Sequence, residues 1–309
     1  MRILFMGTPD YALASLRALV SSEDEIVGVL TQPDKPKGRG YALLPPPVKV
    51  YALEAGLEVF QPTTLRDEAF AELLKKLDPE LIVVVAYGKI LPKNVLDYPK
   101  YGCINVHGSI LPEYRGAAPM QRAIIEGKKE TGVTIQYMAE GVDTGDMLKV
   151  AKCEIGENDN FEVIHDRLSA LGAKTLSEAI ELIRCGKAER TPQDHSRATH
   201  AAKIEKEDCT IDFSKSAKEI HDLVRGLSPI PLAFTHTPDG KLLKIVETRL
   251  TNEKSTAPAG TVISVGEDIR VACGEGVISI LRLLPEGKGR MSAADFVRGR
   301  KIKEGDILS

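Results

Sequence analysis

The sequence predicts an α/β protein in which an open, mainly parallel sheet is followed by a smaller C-terminal β-barrel domain. The first half alternates short apolar runs with stretches of helical periodicity, which is typical of a parallel sheet covered by helices. Residues 81–86 form a valine-rich apolar run, as expected for a strand that is buried on both faces. Several short strand-like segments separated by turn residues follow in the last third, and they indicate a small barrel.

The chain of 309 residues is long enough for two domains. Residues 191–206 are polar and irregular, which is typical of a linker. We therefore expect a first domain over residues 1–190, a linker over residues 191–206 and a second domain over residues 207–309.

The expected elements of the first half follow from apolar periodicity. Thr8 and Pro9 suit the N-cap and the first turn of the first helix. Gly56 and the Asp78-Pro79 pair are natural helix ends. We expect strands at residues 3–6, 26–30, 81–86, 103–106, 133–138 and 147–153, and helices at residues 48–55, 66–77 and 160–184.

In the last third, Ser216 and Glu219 have the spacing of a capping box, which predicts a helix over residues 216–227. A short helix is expected at residues 292–297. The expected strands are at residues 232–236, 242–248, 261–265, 269–272 and 277–283.

The composition is that of an ordinary globular protein, with 43% hydrophobic and 28% charged residues. The net charge of −3 gives no global sign of a nucleic-acid partner. The five cysteines are scattered and form no CxxC pair, so neither a zinc site nor a disulfide framework is indicated. No secretory signal and no apolar run of about 20 residues is present, so we expect a cytoplasmic protein without a membrane partner.

The residues with the clearest chemical potential are Asn105, His107 and Asp143. Positions 105 and 107 lie on the same side of an extended chain, where a strand passes into a loop. In an open α/β sheet this edge binds ligands. An amide can donate a hydrogen bond to an oxyanion, an imidazole can move a proton, and a carboxylate can orient the imidazole or accept a proton. The residues alone also fit an ordinary strand-end histidine near a turn aspartate.

Other types of site find less support. No serine–histidine or cysteine–histidine pair is evident, so direct attack by a substrate is more natural than a covalent acyl-enzyme. The opening Met6-Gly7-Thr8-Pro9 lacks the dinucleotide fingerprint, and a phosphate-binding P-loop is absent. His195 and His200 are five residues apart, which is not the spacing of a helical metal pair. We therefore expect no metal.

Several segments together resemble the methionyl-tRNA formyltransferase family. They are FMGTPDYA at the start, QPDKPKGRGYALLPPPVK at residues 32–49, NVHGSILPEYRGAAPMQR at residues 105–122 and GVDTGDML at residues 141–148. The resemblance covers nearly the whole chain, including the linker and the C-terminal domain. The chain departs from the family pattern at His200, Ala202, Phe213 and Ile230, which lie outside these segments.

The resemblance implies an enzyme of one-carbon metabolism and translation initiation. Asn105, His107 and Asp143 match the family's catalytic residues, and the segment Ser109, Ile110, Leu111 and Pro112 matches its folate-binding segment. The α-amino group of methionine on initiator tRNA would attack the formyl carbon of 10-formyltetrahydrofolate, the co-substrate. The fold implied is a formyltransferase-type Rossmann-like domain with an OB-like C-terminal domain, and we expect a monomer.

Three local basic stretches bear on RNA binding. They are the loop at residues 31–47, the linker region at residues 184–206 and residues 282–303. Each is also compatible with an ordinary solvated surface. Through the resemblance, the loop gains weight as an element that contacts the tRNA acceptor end, by way of Lys35, Lys37 and Arg39.

Two alternatives remain open at the level of sequence. A related enzyme could transfer the formyl group to a small amine, or hydrolyse formyl-folate, with the same three residues. A non-catalytic RNA-binding protein could use the barrel and the basic stretches alone, although the intact Asn105, His107 and Asp143 count against it.

Overall fold

The computed structural model describes residues 1–37, 42–299 and 301–309. The chain divides into two compact units, each built from separate stretches of sequence. The first unit comprises Met1–Gly116, Thr131–Cys153 and His165–His200, and the second comprises Ala117–Glu130, Glu154–Ile164 and Ala201–Ser309.

The helices and strands are numbered in chain order. Up to the end of the long helix they are β1 (Arg2–Gly7), α1 (Leu13–Val20), β2 (Glu25–Leu30), β3 (Lys35–Lys37), β4 (Ala42–Leu44), α2 (Pro47–Glu54), β5 (Val59–Phe60), α3 (Glu68–Leu77), β6 (Leu81–Val85), α4 (Lys93–Leu96), β7 (Cys103–His107), β8 (Arg115–Gly116), α5 (Pro119–Ile125), β9 (Glu130–Tyr137), β10 (Met147–Glu154) and α6 (Phe161–Arg184). After it come β11 (His200–Ala201), α7 (Ala217–Leu227), β12 (Ala233–His236), β13 (Leu242–Leu250), β14 (Val262–Val265), β15 (Ile269–Ala272), β16 (Val277–Pro285), β17 (Met291–Ser292) and α8 (Ala293–Arg298).

A seven-stranded sheet with the order β10-β9-β7-β6-β1-β2-β5 forms the centre of the first unit. The five strands from β7 to β5 are parallel to their neighbours, and β9 runs antiparallel to β7. The predicted open, mainly parallel sheet is thereby confirmed. The order reverses between β1 and β6, and in open α/β sheets such a switch point opens a crevice at the carboxyl ends of the strands.

The central strands β1 and β6 are buried along almost their whole length, so the core of this unit lies on both faces of the sheet. On one face, Leu4, Met6 and Val84 of the central strands pack against Phe70 and Leu74 of α3. The Asp67 side chain caps α3 by accepting from the Phe70 amide, and the helix ends at Asp78 in a left-handed conformation before Pro79. On the other face, Gly172 of α6 lies directly against Val106 of β7, since a Cβ there would be 2.9 Å from the valine. Val106 is thus packed inward, and its neighbours Asn105 and His107 point the other way.

The role predicted for Thr8 is wrong. A short 3-10 turn over Asp10–Ala12 precedes α1, and no side chain caps it. The Thr8 hydroxyl instead donates to the Tyr87 carbonyl at 2.9 Å. The hydroxyl therefore ties the loop after β1 to the loop after β6 rather than starting a helix.

The second unit contains a six-stranded antiparallel sheet with β17 paired to β16 and the order β12-β13-β16-β15-β14 along its main path. The C-terminal residues bond to both of its edges. The His236 amide of β12 donates to the Ser309 carbonyl at 2.7 Å, and the Val262 amide of β14 donates to the Asp306 carbonyl at 2.8 Å. Both edge strands are therefore satisfied, as in the small barrel expected from the sequence.

The helix α7 packs its apolar face into this sheet. The predicted capping box is confirmed, because the Ser216 side chain accepts from the Glu219 amide and the Glu219 carboxylate accepts from the Ser216 amide. Ile220 and Val224 reach the core, where Phe213 is also buried. Phe213 is thus part of the apolar core of this unit.

Candidate functional site

Asn105 and His107 lie in the second half of β7, and His107 is the last residue of that strand. The register pairs Asn105 with Val84 of β6 on one side and with Gln136 of β9 on the other. His107 lies opposite Thr134 of β9. Both candidate residues therefore stand in the middle of the sheet, at the carboxyl edge where the parallel strands end.

The imidazole of His107 is buried, with 6% of its side chain exposed, and is held at one nitrogen. Its Nε2 lies 2.9 Å from the Tyr114 carbonyl oxygen. A carbonyl can only accept, so Nε2 carries the proton in this contact. The other nitrogen, Nδ1, faces the Asp143 carboxylate at 3.6 Å, which is longer than a hydrogen bond. The Nδ1 edge of the ring therefore faces the Asp143 carboxylate without a hydrogen bond to it.

Asp143 is fixed by donors from two neighbouring segments. Its Oδ2 accepts from the Gly116 amide at 2.9 Å, and its Oδ1 accepts from Gln136 Nε2, also at 2.9 Å. The residue has a φ of 52°, a left-handed conformation that costs a non-glycine residue about 1–3 kcal/mol. Asparagine and aspartate tolerate this region best. The turn is thus held in a strained shape that points its carboxylate at His107.

The amide of Asn105 is unused by the protein. Within residues 1–37, 42–299 and 301–309, its side chain makes no hydrogen bond to another residue. A partly exposed amide beside a buried histidine can offer an N–H to a bound ligand. Asn105, His107 and Asp143, which the sequence places thirty-eight positions apart at most, are brought to one edge of the sheet.

The predicted folate segment is a rigid turn. The Ser109 hydroxyl donates to the Glu113 carbonyl at 2.6 Å, so it is occupied in closing the turn. Thr134 Oγ1 donates to the Ser109 carbonyl at 2.8 Å and accepts from the Leu111 amide at 3.1 Å. The Leu111-Pro112 peptide is cis. Because the Ser109 hydroxyl is occupied, a ligand can contact the backbone of this turn and the half-buried side chain of Ile110.

The loop after β6 completes the same edge of the sheet. The Tyr87 carbonyl accepts from Thr8 and, at 3.2 Å, from Gln32 Nε2. Loops that follow β1, β2 and β6 are thus joined at one point, beside the switch point of the sheet. This edge is where an open α/β fold binds its ligand.

Sequence reasoning missed two buried glutamines that surround Asp143. Gln136 is 1% exposed and Gln193 is 5% exposed. Gln193 Nε2 donates to the Asp143 carbonyl at 2.9 Å and to the Gly145 carbonyl at 2.6 Å. The only available signal was Gln136 itself, a polar residue inside the apolar strand VTIQY at a position opposite Asn105. Nothing in the polar stretch around Gln193 marks it as buried.

The structure describes only part of the candidate RNA-binding loop, in which β3 and β4 pair as a short hairpin. Lys35 is exposed. Arg39 and the Lys37 side chain lie outside the described residues. Asp34, the acid of this loop, is bound elsewhere, because Lys49 Nζ lies 2.8 Å from its carboxylate. Hydrogen bonds from Lys49 and Gln61 hold the pKa of Asp34 below its ordinary value.

The described part of the chain contains neither a metal-ligand cluster nor a membrane-spanning helix. No cluster of three or more histidine, cysteine, aspartate or glutamate side chains there has the arrangement of a metal site. None of the helices described has both the length and the apolar character needed to cross a bilayer.

Solved structures with the same fold are formyltransferases and related proteins. The N-formyltransferase of Helicobacter canadensis, solved with folinic acid and dTDP-3-aminofucose, has a TM-score of 0.69 and 20% identity, and the match covers 91% of this chain and 98% of that one. HypX of Aquifex aeolicus, solved with tetrahydrofolic acid, has a TM-score of 0.64 and 18% identity, covering 96% of this chain and 47% of that one. At these identities the likeness shows the fold alone.

The sequence itself is much closer to proteins of one kind. Residues 1–180 match the formyl transferase family model, and residues 203–301 match the model of the formyl transferase C-terminal domain. The methionyl-tRNA formyltransferase of Acetivibrio thermocellus is 45% identical over 100% of this chain and 99% of its own length. That of Geotalea uraniireducens is 48% identical over 100% of this chain and 98% of its own length. With both of its halves matched and relatives this similar along their full lengths, the chain belongs to the methionyl-tRNA formyltransferase family.

Proposed function

We propose that this protein transfers the formyl group of 10-formyltetrahydrofolate to the α-amino group of methionine on initiator tRNA. The observation that carries the proposal is the arrangement of His107 Nδ1, the Asp143 carboxylate and the unpaired amide of Asn105 at one edge of the sheet. This set suits direct attack of an amine on a formyl carbon, which needs an oxyanion donor and an acceptor for a proton.

In the first step the amine nitrogen bonds to the formyl carbon, and the formyl oxygen takes up negative charge. The Asn105 amide donates to this oxygen. The Nδ1 edge of His107 lies on the same face of β7, so the imidazole also stabilises the oxyanion from this edge once Nδ1 has received the proton of the amine. The Nε2 edge is engaged with Tyr114 and plays no part.

Proton transfer follows from the pairing of His107 with Asp143. With Nε2 carrying the proton of the ring, Nδ1 and the Asp143 carboxylate face each other across 3.6 Å as two acceptors that can receive one proton between them. That proton comes from the attacking amine. It then passes to the folate nitrogen as the bond from the formyl carbon to that nitrogen breaks, which leaves tetrahydrofolate and the N-formylated aminoacyl-tRNA.

The folate substrate is assigned to the carboxyl edge of the sheet, against the turn formed by Ser109, Ile110, Leu111 and Pro112. The tRNA is assigned to the loop at residues 31–47, by way of Lys35, Lys37 and Arg39. Support comes from the exposure of Lys35 and from the engagement of Asp34 with Lys49, which leaves the positive charge of Lys35 without that acid as a partner. We further propose a cytoplasmic monomer with domains at residues 1–190 and 207–309 and a linker at residues 191–206.

The test is a comparison of formyl acceptors. The protein and 10-formyltetrahydrofolate are mixed with methionyl initiator tRNA, methionyl elongator tRNA, glycinamide ribonucleotide or water alone. We expect rapid transfer to initiator tRNA and slow reaction in the other three mixtures. Preferred transfer to glycinamide ribonucleotide, or hydrolysis at the rate of transfer, would contradict initiator tRNA as the acceptor. Binding of RNA without any folate-dependent reaction would contradict the proposal that the protein is an enzyme.

A further inference from the structure

The segment that follows α6 sends one side chain into the candidate catalytic site. Gln193 is almost fully buried, and its amide contacts both the turn of Asp143 and the side chain of Arg115. Arg115 donates two hydrogen bonds to Gln193 Oε1, at 3.1 Å from Nε and 2.7 Å from the terminal nitrogen. The oxygen of the Gln193 side chain is thus hydrogen-bonded to Arg115, and its nitrogen is hydrogen-bonded to the turn of Asp143.

The orientation of the Gln193 amide follows from its partners. A guanidinium only donates, so the atom facing Arg115 is the oxygen. The two backbone carbonyls of Asp143 and Gly145 only accept, so the atom facing them is the nitrogen. Each proton of the NH₂ group then has one short partner, and the Gln136 oxygen at 3.5 Å is a weaker third contact.

The turn at residues 143–145, to which Gln193 is hydrogen-bonded, has a strained backbone. Asp143 has a left-handed backbone, and a Cβ on Gly145 would lie 1.7 Å from the Tyr137 carbonyl. Hydrogen bonds from Gln193 to the carbonyls of Asp143 and Gly145 fix both ends of this short segment. A strained conformation persists only where its surroundings determine it this closely.

We propose that Gln193, held by hydrogen bonds from Arg115, is a positioning residue for the Asp143 carboxylate. The polar segment after α6 then contributes to catalysis through Gln193. The inference rests on the proposed function, in which Asp143 takes the amine proton. Gln136 holds the carboxylate itself, whereas Gln193 holds the backbone from which the carboxylate projects. Loss of Gln193 releases the turn without removing any reacting group.

Two variants separate this role from a merely structural one. Gln193→Ala removes all contacts. Gln193→Glu keeps an oxygen for Arg115, and strengthens that contact by its charge, but places an acceptor against the two turn carbonyls. The matched control is Glu189→Ala, an exposed position nearby in the same unit.

The expected result is a fall of kcat by roughly 10²-fold in both Gln193 variants, since displacement of a catalytic group by about 1 Å costs this much. The KM for 10-formyltetrahydrofolate stays at the wild-type value, because the turn at residues 109–112 is untouched. Glu189→Ala retains wild-type kcat. If Gln193→Ala fails to fold, as judged by thermal unfolding, Gln193→Glu carries the test alone.

Hydrogen exchange at the amides of residues 141–147 gives a readout independent of activity. We expect faster exchange there in both Gln193 variants than in wild type and in Glu189→Ala. Wild-type kcat together with wild-type exchange in Gln193→Glu would overturn the inference, and would make Gln193 only an anchor for Arg115. An inactive wild type would refute the proposed function instead, while the exchange measurement would still decide whether Gln193 holds the turn.

Discussion

At the scale of single residues, the site is a set of polar groups whose partners are divided between protein and substrate. His107 Nε2 and the Asp143 oxygens are hydrogen-bonded by the protein. The Asn105 amide and His107 Nδ1 make no hydrogen bond to another described residue, and we propose that they act on the substrate. The spacing of Asn105 and His107 on a strand was predictable, because residues two apart share a face. Gln193 was not predictable, because its burial depends on a contact with Arg115, which is distant in the sequence.

The role of Asn105 gives a direct prediction. Asn105→Ala should lower kcat by about 10²–10³-fold, the usual effect of losing one oxyanion donor. Binding of tetrahydrofolate should persist, because the alanine disturbs no protein hydrogen bond in the described structure. Single-turnover kinetics and a binding titration measure the two effects. Asn94→Ala, at an exposed position of α4, is the control, and a similar rate in both variants would remove Asn105 from the mechanism.

At the scale of elements, apolar periodicity predicted the strands of four or more residues and most of the helices, because these elements bury a regular apolar face. It did not predict the helices α4 and α5 or the shortest strands, which are β3, β4, β5, β8, β11 and β17. The capping box of α7 agrees for a local reason, since both partners lie within one turn. Thr8 shows the limit of such reasoning. Its hydroxyl is used by Tyr87, which is 79 positions away, and a local pattern holds no information on such a partner.

The turn between β9 and β10 yields a second prediction. Gly145→Ala should lower kcat by roughly 10²-fold, because a Cβ at 1.7 Å from the Tyr137 carbonyl must push the Asp143 turn away from His107. The melting temperature should fall as well. Gly266→Ala serves as the control, since a Cβ there meets no atom within 4 Å. Equal kcat in the two variants would show that the turn is free to move without cost to the reaction.

The loop at residues 31–47 yields a third prediction. Arg39→Ala should raise the KM for methionyl initiator tRNA and reduce the slope of log KM against log salt by about 1, as expected for one lost phosphate contact. The KM for 10-formyltetrahydrofolate should stay constant. Kinetics over a range of salt concentrations test this, with the exposed Arg66→Ala as control. Identical salt slopes for wild type and Arg39→Ala would place the tRNA contact elsewhere.

At the scale of the whole molecule, both units are ordinary globular structures whose cores were foreseeable from composition and pattern. Closure of the second sheet was less foreseeable, because it depends on the C-terminal residues that pair with β12 and β14. The grouping of the chain into units was also hidden. The segments Ala117–Glu130 and Glu154–Ile164 belong to the second unit although they lie within the first two-thirds of the sequence.

A buried histidine makes the stability of the second unit depend on pH. Burial lowers the pKa of His221 below its ordinary value of 6.5, and a neutral ring already has partners in the Thr248 hydroxyl and the Glu157 carbonyl. The unfolded chain then binds a proton more readily than the folded chain. The stabilisation is therefore complete above the ordinary pKa of histidine and is lost as the pH falls through the lower pKa of the folded state.

We accordingly expect the melting temperature to fall between about pH 8 and pH 5, and to fall less in His221→Gln. A glutamine keeps an acceptor for Thr248 and a donor for Glu157 but cannot take up a proton. Calorimetry of both proteins over this range makes the comparison, and His200→Gln at an exposed position is the control. Parallel curves for wild type and His221→Gln would assign the pH dependence to other groups.

The most direct test of the central claim follows the formyl group itself. Wild-type protein is mixed with methionyl initiator tRNA and 10-formyltetrahydrofolate that carries an isotopic label in the formyl carbon, and the methionine released from the tRNA is analysed by mass. The account predicts labelled N-formylmethionine, formed much faster than labelled formate and much more slowly by Asn105→Ala. Label that stays on folate, or that leaves only as formate, would contradict formyl transfer at this site.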